Sequence, residues 1–401
     1  MFFGWRVVGG AFAGMVLANG FFSYAFTVLV DPIRAEFGAS LEQVMYSLTI
    51  GTLFGLVASP VTGILIDRHS VRALMTFGSL LVAAGFYLMA QATSITEFNL
   101  ATGLTMTIAM AFTGSMAGSA AVSRWFTRSL GKAMGIAAMG SSLGGIVIPA
   151  LLTYWLKTEG WRSALQNMSL TTLFLFTPLF WLCIRSRPAD VGLLPQFEVT
   201  AVTRARAVKT TTLGMSQIVR MREFWFLGFS MGLVFSAFAA TLANLAPYAT
   251  RLGVSEANVS SMIALLAFGG LVGKLAFGIA ADRVKLKAGM WMAHALMGTA
   301  FLLLILEPAF FLLLIAVFLI GLSTGGLLPV WSAMLVKVFG VDSFGRAMGA
   351  MGPIITLNLI PAYIAVGRLF DSTGSYTTGL IVFTFFIGLA AMMLLPLRVP
   401  E

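Results

Sequence analysis

The stretch Gly63-Ile64-Leu65-Ile66-Asp67-Arg68-His69-Ser70-Val71-Arg72 has a second copy in the same chain, Gly278-Ile279-Ala280-Ala281-Asp282-Arg283-Val284-Lys285-Leu286-Lys287. Both read Gly-x-x-x-Asp-Arg followed by basic residues, and they stand 215 positions apart. The same offset pairs Pro32 with Pro247, Gly38 with Gly253 and Ser40 with Ser255. An offset of 214 pairs Gly131-Lys132-Ala133-Met134-Gly135 with Gly345-Arg346-Ala347-Met348-Gly349. Single glycine matches are common by chance among 42 glycines, but ordered matches of Pro, Asp-Arg and a five-residue string are not. The chain is read as two homologous halves.

Its composition is 59% hydrophobic and 10% charged, which leaves too little polar surface for a water-soluble chain of 401 residues. Apolar segments recur near 7–30, 43–66, 73–93, 98–123, 133–156, 163–184, 224–250, 257–281, 288–306, 309–336, 345–369 and 376–396. Each is long enough for the ~20 residues of a spanning helix. The expected fold is an all-α membrane protein with twelve transmembrane helices in two six-helix bundles. Six spans per half is an even number, so both halves enter the bilayer in one direction and are related by a pseudo-two-fold axis along its normal. The expected divisions are a bundle over 1–184, a cytoplasmic linker over 185–223 that is partly helical near its end, and a bundle over 224–401. The linker carries seven basic residues and the Pro188 and Pro195 pair.

The net charge of +10 points to topology rather than to nucleic acid. With a cytoplasmic N-terminus, 19 Lys and Arg fall in the inner loops and tails and five, Arg34, Lys157, Arg162, Arg251 and Arg368, fall outside. That is a strong positive-inside bias and places both termini in the cytoplasm. Cys183 is the single cysteine, which excludes an intrachain disulfide and a thiolate metal cluster. The first apolar stretch is too long for a signal-peptide core and is read as a retained helix. Short outer loops suggest a bacterial cytoplasmic membrane, and a monomer is expected.

The paired Gly-x-x-x-Asp-Arg loops resemble the hallmark of the major facilitator superfamily, which follows the second and eighth spans. Glycine lets a neighbouring helix approach closely, and a carboxylate four residues on can meet cations and helix ends at the cytoplasmic face. The resemblance implies a gate latch built from Gly63, Asp67, Arg68 and Arg72 in one copy and Gly278, Asp282 and Arg283 in the other. Ser70 and Val71 depart from the family pattern. A narrower resemblance, to bacterial members of the monocarboxylate transporter family and the neighbouring oxalate/formate antiporter family, is carried by several strings. They are Phe3-Gly4-Trp5-Arg6-Val7-Val8, Trp125-Phe126, the run from Lys132 to Gly145 with Pro149, and Asp371-Ser372-Thr373-Gly374-Ser375-Tyr376.

Of the 25 Lys and Arg residues, Lys274 alone lies deep in an apolar span. A bare ammonium there costs roughly 2.5–3.5 kcal/mol on insertion scales. In the resembled group a cation on the eighth span, usually arginine, binds the substrate carboxylate, and Lys274 falls at that place. Its one-turn neighbours Gly270 and Gly278 leave room for water or a ligand. Gly270 also stands where animal carriers place an aspartate, so an Asp-based proton relay is not supported. No acid in the sequence lies deep enough to neutralise Lys274, so protonation of the lysine and arrival of a carboxylate are expected to be coupled. The competing reading is a lysine that snorkels to the interface or rests on carbonyl groups.

Weaker cargo candidates are Asn19, Tyr24 and Thr27 on the first span and Thr113, Ser115 and Ser119 on the fourth. In the second half they are Asn244, Trp331, Ser332, Asn358 and Tyr363. For each, helix packing competes with ligand contact. His294 is expected to be structural, and the 23 methionines read as core filler. Two His, one Cys and no deep carboxylate supply too little for a catalytic site or a metal, so neither an enzyme nor a cofactor is expected. The sequence therefore reads as a secondary carrier of a small monocarboxylate such as lactate or pyruvate, coupled to a proton. An oxalate/formate-type exchanger, a carrier of another organic acid and a non-transporting sensor remain as alternatives.

Overall fold

The structure, a computed structural model, describes residues 2–127, 129–193 and 212–399, and within these the side chains of Tyr24, Thr27 and Tyr363 lie outside the described part. The middle of the expected linker, with Arg204, Arg206 and Lys209, falls outside the described residues, as does Arg128. What is described is almost wholly helical. In hydrocarbon a backbone N–H or C=O has no water to bond, so a spanning segment must close its hydrogen bonds on itself.

In the first half the helices are α1 (Gly4–Asn19), α2 (Phe26–Phe37), α3 (Leu41–Arg68), α4 (Val71–Gln91), α5 (Ile95–Ile108), α6 (Ser115–Ser123), α7 (Leu130–Thr171) and α8 (Thr177–Cys183). Three π-helical turns, Gly20–Ala25, Ala109–Thr113 and Thr172–Phe176, join α1 to α2, α5 to α6 and α7 to α8. A 3-10 turn at Pro188–Val191 and α9 (Met215–Arg220) flank the linker. The second half holds α10 (Arg222–Arg251), α11 (Glu256–Ala281), α12 (Leu286–Ile305), α13 (Phe310–Phe339), α14 (Phe344–Thr373) and α15 (Thr377–Met393).

Among the described residues nine helical stretches are long and apolar enough to cross a membrane, and one of them, Leu130–Cys183, runs for 54 residues. At 1.5 Å per residue that is about 80 Å, more than twice a ~30 Å hydrocarbon core. The run is bent back at Gly160, whose φ of 84° and ψ of 168° are not helical, so it supplies two crossings. With α14 and α15 the count reaches the expected twelve.

Two compact units result. One comprises Met1–Thr212 with Val341–Ala350, and the other Leu213–Gly340 with Met351–Glu401. The short segment Val341–Ala350, expected in the second bundle, packs with the first unit, for a reason that lies at Asp67. In the second unit, α11 and α13 lie backbone to backbone. A Cβ added at Gly273 would collide with the Leu322 carbonyl, one at Gly321 with the Leu266 carbonyl, and one at Gly325 with the Gly270 carbonyl. In the first unit Gly14 of α1 admits the Thr113 carbonyl in the same way. Without a hydrophobic effect between helices in lipid, such close approach supplies the dispersion contacts that hold spans together. Gly325→Leu is therefore expected to destabilise the protein by at least ~1–3 kcal/mol through overpacking, measured as a lowered thermal midpoint in detergent, whereas Gly298→Ala, where the nearest atom is 3.8 Å away, leaves it unchanged.

Candidate functional site

At the end of α3 the Asp67 side chain is only 1% exposed. Its carboxylate accepts the backbone N–H groups of Gly345 and Arg346, each at 2.9 Å, and the Nε–H of Arg346, also at 2.9 Å. Gly345 and Arg346 open α14, so the carboxylate takes up orphan donors of a helix N-terminus and the positive end of its dipole as well as a guanidinium. Three charge-assisted bonds justify its burial. Glycines make the approach possible: a Cβ on Gly63 would strike the Gly345 carbonyl, and one on Gly349 would lie 2.5 Å from the Ser59 carbonyl. The Ser59 hydroxyl also donates to the Gly349 carbonyl at 2.9 Å.

Arg124, 8% exposed, donates from Nη2 to the Ile66 carbonyl at 2.7 Å. Burial lowers its pKa, and the nearby Asp67 charge opposes that shift. Arg68 is exposed. Arg72 lies over the Trp181 ring, 3.5 Å from its centroid, rather than on Asp67. In the second copy Gly278 is buried while Asp282 and Arg283 are exposed.

Lys274 is half-buried in the last third of α11. It follows Gly273 by ~100° of helix rotation, which turns it off the α11–α13 seam and onto its flank. Trp331 and Ser332 lie on α13, 3% and 0% exposed, and among the described residues neither the indole Nε1 nor the serine Oγ has a hydrogen-bond partner. Asn358 of α14 is half-buried, donates to the Ile354 carbonyl at 2.8 Å and packs against Gly232 of α10.

Asn244 is set apart from Lys274. It stands seven residues before Arg251, whereas Lys274 stands eighteen residues past Glu256. Measured from the α10–α11 turn, that is about 10 Å against about 27 Å. A small monocarboxylate does not span the difference. Asn244 instead lines an apolar pocket of about 320 Å³ with Thr241, Tyr248, Leu304, Leu380 and Phe383. His294 is buried within hydrogen-bond distance of the Met290 carbonyl and the Ser230 hydroxyl, at 2.7 and 3.2 Å, which ties α10 to α12.

In the first unit Asn19, half-buried, donates to the Met15 carbonyl at 3.4 Å just before the Gly20–Ala25 π turn. Thr113 closes the Ala109–Thr113 π turn and bonds back to the Ala109 carbonyl at 2.7 Å. Ser115 opens α6 half-buried, and Ser119 is 3% exposed one turn later. The π turns were not foreseen. Their one visible signal was Gly114, flanked by Thr113 and Ser115 inside an apolar run.

The family model of the Major Facilitator Superfamily matches residues 10–255 and 224–401. The chain belongs to the Major Facilitator Superfamily. It is a multi-pass membrane transporter and not an enzyme. It is 26% identical to human monocarboxylate transporter 11 over 94% of this chain and 79% of that protein. It is 25% identical to rat monocarboxylate transporter 13 over 98% and 89%. The fold matches a crystal structure of the human organic anion transporter MFSD10 (TETRAN) with a TM-score of 0.74 at 18% identity, covering 98% and 99% of the two chains. It matches the proton:xylose symporter XylE with a TM-score of 0.72 at 16% identity, covering 97% and 94%.

Because Asp67 is buried, Asp67→Ala removes the carboxylate that binds the Arg346 side chain and the first N–H groups of α14 and is expected to cost ~3–5 kcal/mol, while Asp67→Asn, which still accepts, costs about 1.5–3 kcal/mol. Denaturation midpoints of the three proteins decide it. Equal midpoints would show that the contact contributes nothing.

Proposed function

We propose that this transporter carries a small monocarboxylate of the lactate and pyruvate class by alternating access, with a proton. The reading rests on Lys274. It is a cation on an apolar span, turned off a glycine seam, in a chain whose relatives bear the name monocarboxylate transporter. A carboxylate that reaches the lysine inside a low-dielectric span offsets the cost of its charge, so anion binding and lysine protonation favour one another reciprocally. Lysine makes a point contact where arginine would make a planar two-pronged one, which suits a single small carboxylate.

In this reading Trp331, Ser332 and Asn358 are the second unit's candidates for neutral polar contacts, and Asn19, Ser115 and Ser119 are the first unit's, with Tyr24 and Thr27 expected from sequence alone. The unpartnered Trp331 indole N–H supports that assignment. Asp67 with the start of α14 is the inner latch, made in one state of the cycle and broken in the other. Asp282 and Arg283 are its second copy. The divisions at 1–184, 185–223 and 224–401, the cytoplasmic termini, the bacterial cytoplasmic membrane and a monomeric state belong to the same reading.

Labelled pyruvate or lactate uptake into proteoliposomes, driven by an inward proton gradient, tests it. Native protein is expected to accumulate label and lose the gain when the gradient is collapsed. Lys274→Gln is expected to reduce uptake by more than about tenfold, and Lys274→Arg to retain part of it. Unchanged uptake by Lys274→Gln would remove the site, and uptake that needs a counter-anion inside and no gradient would favour exchange.

A further inference from the structure

One buried glycine packs against nothing. Gly379, the third residue of α15, is buried, yet a Cβ built on it meets no atom within 4 Å. Its φ is not positive, so neither the backbone freedom used at Gly160 nor the close approach used at Gly325 accounts for it. Glycine also weakens a helix relative to alanine. What its missing side chain leaves is space: Gly379 lines the pocket of about 320 Å³, open mouth included, that Asn244 borders. The pocket lies wholly in the second unit, between α10, α14 and α15, with Leu304 of α12 in its wall.

That wall is almost entirely carbon, from Leu245, Val366, Leu380 and Phe383 and the rings of Tyr248 and Tyr376. The two rings meet edge to face, with centroids 6.0 Å apart, and the Tyr248 hydroxyl is spent on the Leu304 carbonyl at 2.6 Å. No charged side chain lines the pocket, so an anion would enter it without a counterion.

Two polar groups on α10 border this space. Thr105, Thr113, Thr172 and Thr324 each donate to the carbonyl four residues before, the usual outlet for a threonine in a dry helix. Thr241 does not. Its Oγ1 is buried and, among the described residues, has no hydrogen-bond partner. With no bond to hold it, rotation about χ1 is free to present the hydroxyl to a guest. Asn244 stands three residues on, on the same face of α10. Its Nδ2 donates to the Ala240 carbonyl at 2.9 Å, which turns the nitrogen to the backbone and leaves the carboxamide oxygen as a spare acceptor. A hydroxyl group satisfies both, donating to the Asn244 oxygen and accepting from Thr241. A buried water would want further partners on its other sides. There the pocket offers carbon, and an alcohol places carbon against it.

We infer that this pocket binds a small neutral alcohol or phenol, with its hydroxyl between Thr241 and Asn244 and its apolar body in the space that Gly379 leaves. The site uses none of the residues assigned to the carboxylate cargo.

Fluorine NMR of the full-length protein in detergent tests it, with para-fluorobenzyl alcohol as the probe and para-fluoroethylbenzene as its match without the hydroxyl. Relative to partition into empty micelles, native protein is expected to bind the alcohol about fivefold more tightly than the hydrocarbon, the effect of one net hydrogen bond. Thr241→Val, nearly the same shape, is expected to remove that preference and leave the hydrocarbon bound as before. Gly379→Leu fills the space, so it is expected to abolish binding of both compounds without lowering the thermal midpoint. Lys274→Gln is expected to bind both as the native protein does, and pyruvate to displace neither. Native-like binding by Gly379→Leu, or no binding by the native protein, would overturn the site. Should Gly379→Leu not fold, Thr241→Val decides: an alcohol preference that survives it overturns the proposal, as does equal affinity for the two compounds in the native protein. Binding lost in Lys274→Gln, or displaced by pyruvate, would put the probe on the cargo path and overturn the pocket while leaving the monocarboxylate reading untouched.

Discussion

Inside a bilayer every charge and every backbone dipole must find its partner within the protein or in what the protein carries. That constraint selects helices, and it also decides where a helix is allowed to stop. At Asp67 it is met internally, by the first N–H groups of α14 and by Arg346. At Gly114 the span breaks, and among the described residues no side chain caps the start of α6. Lys274 brings a cation into an apolar span, and the proposed cargo carries the charge that such a cation attracts.

The twelve spans were legible because apolar length is a property of sequence alone. The bend at Gly160 was legible only as a gap between segments ending near 156 and starting near 163, not as one residue of unusual backbone. The duplicated Gly-x-x-x-Asp-Arg string marked Asp67 as important, and carboxylate chemistry named helix ends and cations as its partners. Which helix end it meets could not be read. The contact joins residues 278 positions apart, and the string around Gly345 carried weight only as a repeat.

Lys274 was visible because it breaks the apolar pattern of its own span. Asn244 illustrates the opposite case: a polar residue in a span is equally conspicuous whatever its depth, and only the register of α10 against α11 separates it from Lys274. The π turns escaped detection because, Gly114 apart, they leave no compositional mark. Widening a turn by one residue changes which carbonyl an N–H meets, and apolar side chains on either side read the same.

The Gly160 bend has a mechanical corollary. A corner made by one residue leaves no spare chain, so the two spans it joins cannot slide past one another along their axes or drift apart at that end. They must swing together as a bracket. A flexible insertion after Gly160 would restore the missing play, and the fifth and sixth spans would then be free to lag behind each other during a cycle.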